Sequence, residues 1–112
     1  MTTTTPAQPK NPREMVGTKL LFENDRVKIW ELRLQPGDRT PMHQHDLDYV
    51  VVQVHGDRVA VDPHPDTKSV YKKYQEEPVQ PGFNLFVEKG GIEVALNPGK
   101  QEYLEILVEV KE

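Results

Sequence analysis

Turn residues divide this chain into many short segments. Gly, Pro, Asn and Asp recur about every eight to twelve residues, and the segments between them alternate in polarity or are rich in β-branched residues. None of the segments has apolar residues at helical spacing. The pattern predicts an all-β chain, folded as an antiparallel sandwich or barrel. We predict strands over 19–23, 26–34, 47–54, 58–62, 69–75, 83–87, 92–96 and 103–111.

The length of 112 residues fits one domain. The first twelve residues consist largely of Thr and Pro, and the three prolines Pro6, Pro9 and Pro12 oppose regular structure. We therefore predict a flexible, disordered N-terminal arm over residues 1–16 and one β-barrel domain over 17–112. The alternative is an arm that pairs with a neighbouring subunit.

Charge and composition limit the partners of this chain. The net charge is −4 with a pI of about 5.6, so the chain is not basic enough to follow a phosphate backbone, and we expect no nucleic-acid partner. The N-terminus has no apolar stretch of the secretory type, and no apolar run approaches the roughly 20 residues of a membrane span. The chain has no cysteine, so any metal must be held by nitrogen and oxygen. We expect a cytoplasmic protein that does not contact membranes.

Two histidines precede a run of valines. His43 and His45 are two residues apart, so on a strand they point to the same side. Neutral imidazole is the commonest protein ligand of transition metals. The pair therefore predicts a metal on the inner wall of a β-barrel. By the same alternation, Tyr49, Val51 and Gln53 share this face, and Asp46 and Asp48 lie on the other.

Two spaced motifs resemble those of the cupin family. The first family motif places Gly, His, His, Glu and Gly at fixed spacing, and this chain fits it with Gly37, His43, His45, Tyr49 and Gly56, so that Tyr replaces Glu. The second motif places Gly, Pro, Gly, His and Asn. It is fitted by Gly82, Glu88, Gly90, Glu93 and Asn97.

The resemblance implies an antiparallel cupin-type β-barrel, also called a double-stranded β-helix or jelly roll. It also implies homodimers and one divalent metal ion. Of the usual ligands, His43 and His45 match, whereas Tyr49 and Glu93 occupy ligand positions with a different residue type. Two imidazoles and one carboxylate remain, which is the ligand set of non-haem Fe(II) oxygenases. Fe(II) is therefore favoured, with Mn, Ni or Zn possible. Glu93 could instead face solvent or pair with a cationic side chain.

Tyr49 is a poor ligand unless ionised, so we expect it to act as the nearest acid or hydrogen-bond donor, or simply to pack in the pocket. Gln53, Trp30 and Phe86 are candidate substrate-binding residues, although aromatic side chains such as the latter two mostly pack in cores. The terminal segment 102–112 alternates between charged and apolar residues, which is typical of a strand with one solvated face or of a dimer edge.

These observations favour a metal-dependent enzyme of dioxygenase, isomerase or lyase type, which acts on a small carboxylate-bearing metabolite. The chain also loosely resembles small cupins named for β-alanine degradation. The alternative is a non-catalytic cupin that binds a small molecule and has a degenerate metal site.

Overall fold

The computed structural model describes residues 5–112, in which nearly all of the regular secondary structure is β-strand. The strands are β1 (Lys19–Glu23), β2 (Val27–Leu34), β3 (His43–Gln44), β4 (Asp48–His55), β5 (Arg58–Pro63), β6 (Gln75–Pro78), β7 (Asn84–Val87), β8 (Ile92–Leu96) and β9 (Tyr103–Val110). Within residues 5–112 no helix is long and apolar enough to span a membrane.

The strands form two antiparallel sheets. One sheet has the order β1-β2-β9-β4-β7, and the other has the order β3-β8-β5-β6. The predicted all-β antiparallel fold is confirmed. The strand predicted over 69–75 is wrong in position, since 69–74 is irregular and β6 begins at Gln75. In this irregular stretch Tyr71 lines the cavity described below, and the side chain of Lys72 donates to the carbonyl of Thr67. The two side chains therefore do not alternate between two sheet faces.

The apolar core lies between the sheets, on the inner face of β2 and β9. Trp30 and Tyr103 are fully buried there, and Leu32 and Leu107 pack in the same cluster. The indole nitrogen of Trp30 donates to Glu109 Oε1 at 2.6 Å, so this buried N–H is paired. Each buried leucine contributes about 1.5–3 kcal/mol by removing its side chain from water.

The N-terminal segment is held against the barrel. The side chain of Gln8 donates to the carbonyl of Leu20 at 3.0 Å and accepts from its amide at 2.7 Å, as a neighbouring strand would. Pro12–Glu14 forms one 3₁₀ turn, and Val16 is buried in the core. From Gln8 to Val16 the segment therefore differs from the disordered arm predicted over 1–16. Residues 1–4 of that arm lie outside the described residues.

The segment that carries the two histidines crosses from one sheet to the other. β3 belongs to the four-stranded sheet and β4 to the five-stranded sheet, so the single strand face expected over 43–53 is interrupted at residues 45–47. The inner faces of both sheets border the same cavity. The histidines and the inward residues of β4 therefore still face a common space, as the alternation predicted.

Candidate metal and ligand site

A cavity of about 540 Å³ opens between the two sheets. Its wall is mostly apolar and includes Val16, Leu32, Val51, Ala95 and Leu107. His43, His45, Tyr49 and Glu93 form a polar group in this wall. A concave, largely apolar space with a few convergent polar groups is typical of a small-molecule site.

Strand pairing brings the three candidate ligands together. His43 lies directly opposite Glu93 in the β3–β8 pair, and the amide of His45 donates to the carbonyl of Gly91 at 2.8 Å. One donor atom from each of His43, His45 and Glu93 lies within 4.8 Å of the other two. His45 Nε2 is 3.8 Å from Glu93 Oε2. This spacing allows all three side chains to reach one ion.

The backbone fixes the tautomer of His43. Its Nδ1 is 3.0 Å from the carbonyl oxygen of Pro41 and 3.3 Å from Thr40 Oγ1. A carbonyl can only accept, so Nδ1 carries the proton and Nε2 has a free lone pair. Burial lowers the pKa of His43, and neighbouring His45 lowers it further, which keeps the imidazole neutral at physiological pH.

Glu93 is held as a carboxylate. Burial raises its pKa, but the hydrogen-bonding and charge interactions with His45 and His43 outweigh burial, and the net shift is downward. Gly91 leaves space for this carboxylate, because a Cβ there would lie 3.1 Å from Glu93 Oε1 and 3.5 Å from His45 Cδ2. The sequence prediction that Glu93 faces inward agrees with this placement.

Tyr49 covers one side of the group. Its ring stacks on His45 with centroids 4.3 Å apart and planes 18° apart. Burial raises the pKa of its phenol, and Glu93, Glu105 and Glu109 raise it further. The phenol therefore stays neutral, so Tyr49 can donate a hydrogen bond into the cavity but is unsuited to act as an anionic ligand.

The donor set fits a divalent metal ion. Two neutral imidazoles and one carboxylate supply nitrogen and oxygen ligands of the kind that Fe, Mn, Ni and Zn accept. His45 Nδ1 is the one buried side-chain nitrogen or oxygen without a hydrogen-bond partner within residues 5–112. A buried imidazole nitrogen in that condition is uncommon and indicates a functional environment.

The structure separates the predicted substrate-binding residues. Gln53 lines the cavity, and its Oε1 accepts from the amide of Gln80 at 2.9 Å. Trp30 is fully buried in the core cluster, hydrogen-bonded to Glu109, and is not among the cavity-lining residues. Phe86 is 58% exposed and borders a separate outer groove, because it lies on the outward face of the edge strand β7. Of the three, only Gln53 is positioned to contact a ligand in the main cavity.

Sequence reasoning missed two polar residues of the cavity wall. Tyr103 and Glu105 lie on β9, which is central in the five-stranded sheet instead of at its edge. On this strand the buried positions include Glu105 and Glu109, while Leu104 and Ile106 face outward and are half-buried. The charged residues Glu105 and Glu109 therefore lie on the inner face, which differs from the solvated face that the alternation of this segment favours. The sequence signal for this placement is the spacing: Glu105 lies two residues from Tyr103 and from Leu107, so on a strand it shares the face that these two residues bury.

Comparison with known proteins identifies the fold. No protein-family model and no curated protein matches the sequence. A cupin domain protein from Bordetella pertussis is 26% identical, with a TM-score of 0.71 over 84% of this chain and 91% of its own. An RmlC-like cupin with a double-stranded β-helix fold from Methanocaldococcus jannaschii is 11% identical, with a TM-score of 0.67 over 98% and 91% of the two chains. The polyketide cyclase RemF from Streptomyces resistomycificus is 20% identical, with a TM-score of 0.61 over 84% and 63%.

The fold and the site define a double-stranded β-helix protein with a His, His, Glu group that could hold a metal ion. The chain is a member of the cupin superfamily. None of these three similar proteins is described by a link to β-alanine, and that part of the resemblance stays a prediction.

Proposed function

We propose that this protein is a metal-dependent enzyme that acts on a small carboxylate-bearing metabolite in the barrel cavity. The observation that supports this is the convergence of His43, His45 and Glu93 in the wall of a 540 Å³ space. Similar folds include a polyketide cyclase and a protein described as a sugar phosphate isomerase, so the barrel accommodates enzymes of different chemistry.

The proposed cofactor is one divalent ion, with Fe(II) favoured over Mn, Ni or Zn because the ligands are two imidazoles and one carboxylate. The ion would supply Lewis-acid polarisation of a substrate oxygen. Three side chains leave room for such an oxygen. The neutral phenol of Tyr49 would donate a hydrogen bond to the substrate beside it, and the apolar wall would exclude water from the bound molecule.

The cavity wall supports a small anionic ligand with an apolar body. Among the described residues that line it, Lys73 is the single lysine or arginine. A carboxylate could therefore meet positive charge at the metal and at Lys73, while its carbon skeleton contacts Val51 and Leu107. The volume suits one molecule of drug-like size or smaller.

Elemental analysis of purified protein tests the metal site. We expect about one divalent ion per chain in the wild type, and loss of the ion in Glu93→Gln because the amide oxygen is a weaker ligand than a carboxylate. Asp46→Asn is the matched control, since Asp46 is an exposed acid next to His45. It removes the same charge and should retain the ion. Full occupancy in Glu93→Gln would show that Glu93 is not a ligand.

A second candidate is a non-catalytic cupin that binds a small molecule. The replacement of the family's Glu by Tyr49, which stacks on His45, favours this candidate because it removes one usual ligand. Ligand binding that survives His43→Ala, together with metal well below one ion per chain in the wild type, would establish it in place of the enzyme.

We also propose a homodimer in the cytoplasm. The outer face of the five-stranded sheet carries Val50, Val52, Ile106 and Val108 in adjacent register, and all four are half-buried in the single chain. An apolar sheet face of this kind suits a second copy. Light scattering should give twice the chain mass, and Val52→Glu, whose charge would lie within the interface, should give the single mass.

A further inference from the structure

A second polar group lies in the same cavity wall as the candidate metal ligands. It consists of Tyr103 and Glu105 on β9 and Gln53 on β4, and we call it the β9 group. Gln53 and Glu105 are paired residues of adjacent strands, and all three side chains line the cavity. Directly opposed side chains on neighbouring strands lie about 5 Å apart, so the three form one cluster.

Glu105 is the centre of the β9 group. It is 91% buried, since 9% of its surface is exposed. The phenol of Tyr103 donates to Glu105 Oε1. Within residues 5–112, no hydrogen bond is made to Oε2. Since His45 Nδ1 is the one fully buried side-chain nitrogen or oxygen without a partner in this part of the chain, the unpaired Oε2 keeps some accessible surface, and Glu105 lines the cavity. A carboxyl oxygen that faces a mostly apolar cavity is costly unless a ligand satisfies it.

Within residues 5–112, no cationic side chain forms a salt bridge with Glu105. Tyr103, Gln53 and Leu107 are its inward neighbours, and none carries a positive charge. Burial raises the pKa of Glu105 to about 7, with Glu93 adding to the rise and Tyr103 opposing it. A structural ion pair would have lowered this pKa. The residue therefore differs from the surface carboxylates that are held by Arg or Lys, such as Glu102 beside Arg33.

The two polar groups are separated along the barrel. Tyr49, which stacks on His45, is four residues before Gln53 on β4, or about 13 Å at strand spacing. Glu93 is nevertheless close enough to Glu105 for its charge to raise the pKa of Glu105. The wall between the groups is formed by Val51 and Leu107 and is apolar.

We propose that the β9 group binds a hydrogen-bond donor, a hydroxyl or an amine, on the end of the ligand opposite to its carboxylate. The ligand class is then a bifunctional molecule: a carboxylate at the metal end, an apolar middle about one ring long, and an O–H or N–H at Glu105 Oε2. This inference rests on the proposed function, since it takes the carboxylate end to be held by the metal group.

The test compares matched probe acids with and without the hydroxyl. The probes are 4-hydroxyphenylacetate against phenylacetate, and 3-(4-hydroxyphenyl)propionate against 3-phenylpropionate, which are one methylene longer. Calorimetric titration of metal-loaded protein gives four dissociation constants. In the wild type at least one hydroxylated acid should bind about tenfold more tightly than its partner, because a hydrogen bond to a charged group contributes about 1.5 kcal/mol or more.

Glu105→Leu should abolish this preference by removing the acceptor. Glu109→Gln is the matched control: it alters a buried acid on the same face of β9, outside the cavity-lining residues, and its amide oxygen can still accept from Trp30. It should retain the preference. Glu105→Gln serves if the leucine variant fails to fold, and it should reduce the preference by removing the charge.

Equal affinity within both probe pairs for the wild type, or a preference that is undiminished by loss of the Glu105 carboxylate, would overturn the inference. Metal content is measured on every sample. Protein that holds its ion but shows no preference contradicts the role of Glu105 alone. Protein that holds no ion contradicts the proposed function as well.

Discussion

The metal group and the β9 group share a cavity but are built in different ways. His43 and Glu93 come from two short strands joined by two paired positions, and His45 follows directly after the first of these strands, close to Gly91. Tyr103 and Glu105 come from one eight-residue strand in the middle of a sheet. The first group depends on loop and turn spacing, and the second depends on strand alternation within a packed core. Removal of a metal ligand should therefore act locally, whereas changes on β9 should act on the stability of the whole barrel.

The largest expected effect separates the two groups by metal affinity. His43→Ala should abolish stoichiometric metal binding, because it removes one of the three ligands. Its cost in metal affinity should exceed the roughly 100-fold loss that follows when only a hydrogen-bond partner of a ligand is removed. Glu105→Gln should change the free energy of metal binding by less than about 0.5 kcal/mol, since it lies outside the ligand set. Titration of chelator-treated protein with Mn(II) or Zn(II) measures both. Equal losses in the two variants would show that the groups form one site.

The pH dependence of unfolding should identify Glu105. Its folded pKa of about 7 lies above its ordinary value of 4.5, so between these pH values the folded state holds a proton that the unfolded state releases. Stability is therefore present below pH 4.5 and is lost as pH rises to about 7, by about 3 kcal/mol in total. Urea unfolding of metal-free protein from pH 4.5 to 8 measures the loss.

Glu105→Gln is the control for that loss, because its amide does not titrate. Its stability advantage over the wild type should grow across the same pH range. A constant difference between the two proteins would mean that Glu105 ionises equally well in the folded and unfolded states, against the burial of its side chain.

A smaller effect is expected from Tyr103→Phe. The phenylalanine ring would occupy the same place in the core, in contact with Gly56. The hydroxyl that donates a hydrogen bond to Glu105 would be lost. We expect about 2 kcal/mol of destabilisation at pH 8, where Glu105 is ionised, and less at pH 5. Denaturant midpoints at the two pH values measure this. A loss that is the same at both pH values would indicate a packing effect alone.

The smallest effect should come from Thr40→Val, which tests the support of the metal group. Thr40 Oγ1 accepts from the buried amide of Ala95 at 3.0 Å and lies 3.3 Å from His43 Nδ1. We expect about tenfold weaker metal binding, because a partner that orients His43 is lost. Thr18→Val on the exposed surface should leave the affinity unchanged. No change in Thr40→Val would show that Pro41 alone orients the imidazole.

The sequence was sufficient for the parts of this site that depend on local spacing. The alternation of His43, His45, Tyr49 and Gln53 predicted a common inner surface, and the structure agrees although two sheets supply it. Inward placement of Glu93 followed from its apolar neighbours on β8. These inferences required only period-2 geometry and the cost of a buried charge.

The remainder depends on long-range packing, which one sequence does not reveal. The charges of Glu105 and Glu109 suggested a solvated face. However, β9 lies between β2 and β4, and burial of Tyr103 and Leu107 decides which of its two faces points inward. Two polar partners, Tyr103 and Trp30, then make the inward carboxylates tolerable. Likewise, Gln8 is 12 residues from the Leu20 backbone that it binds, so local composition predicted a free arm there.

The two-residue length of β3 has a consequence for motion. His43 and Glu93 face each other across this shortest of the strand pairs, which is extended on one side by hydrogen bonds between His45 and the glycines 90 and 91 and on the other by the bridge between Arg39 and Leu96. An ion shared by the two side chains would link these two short strands in addition to their backbone hydrogen bonds. Amide hydrogens of His45 and Gly90 should then exchange with solvent more slowly in metal-loaded protein, while those of the long β2–β9 ladder keep their rates.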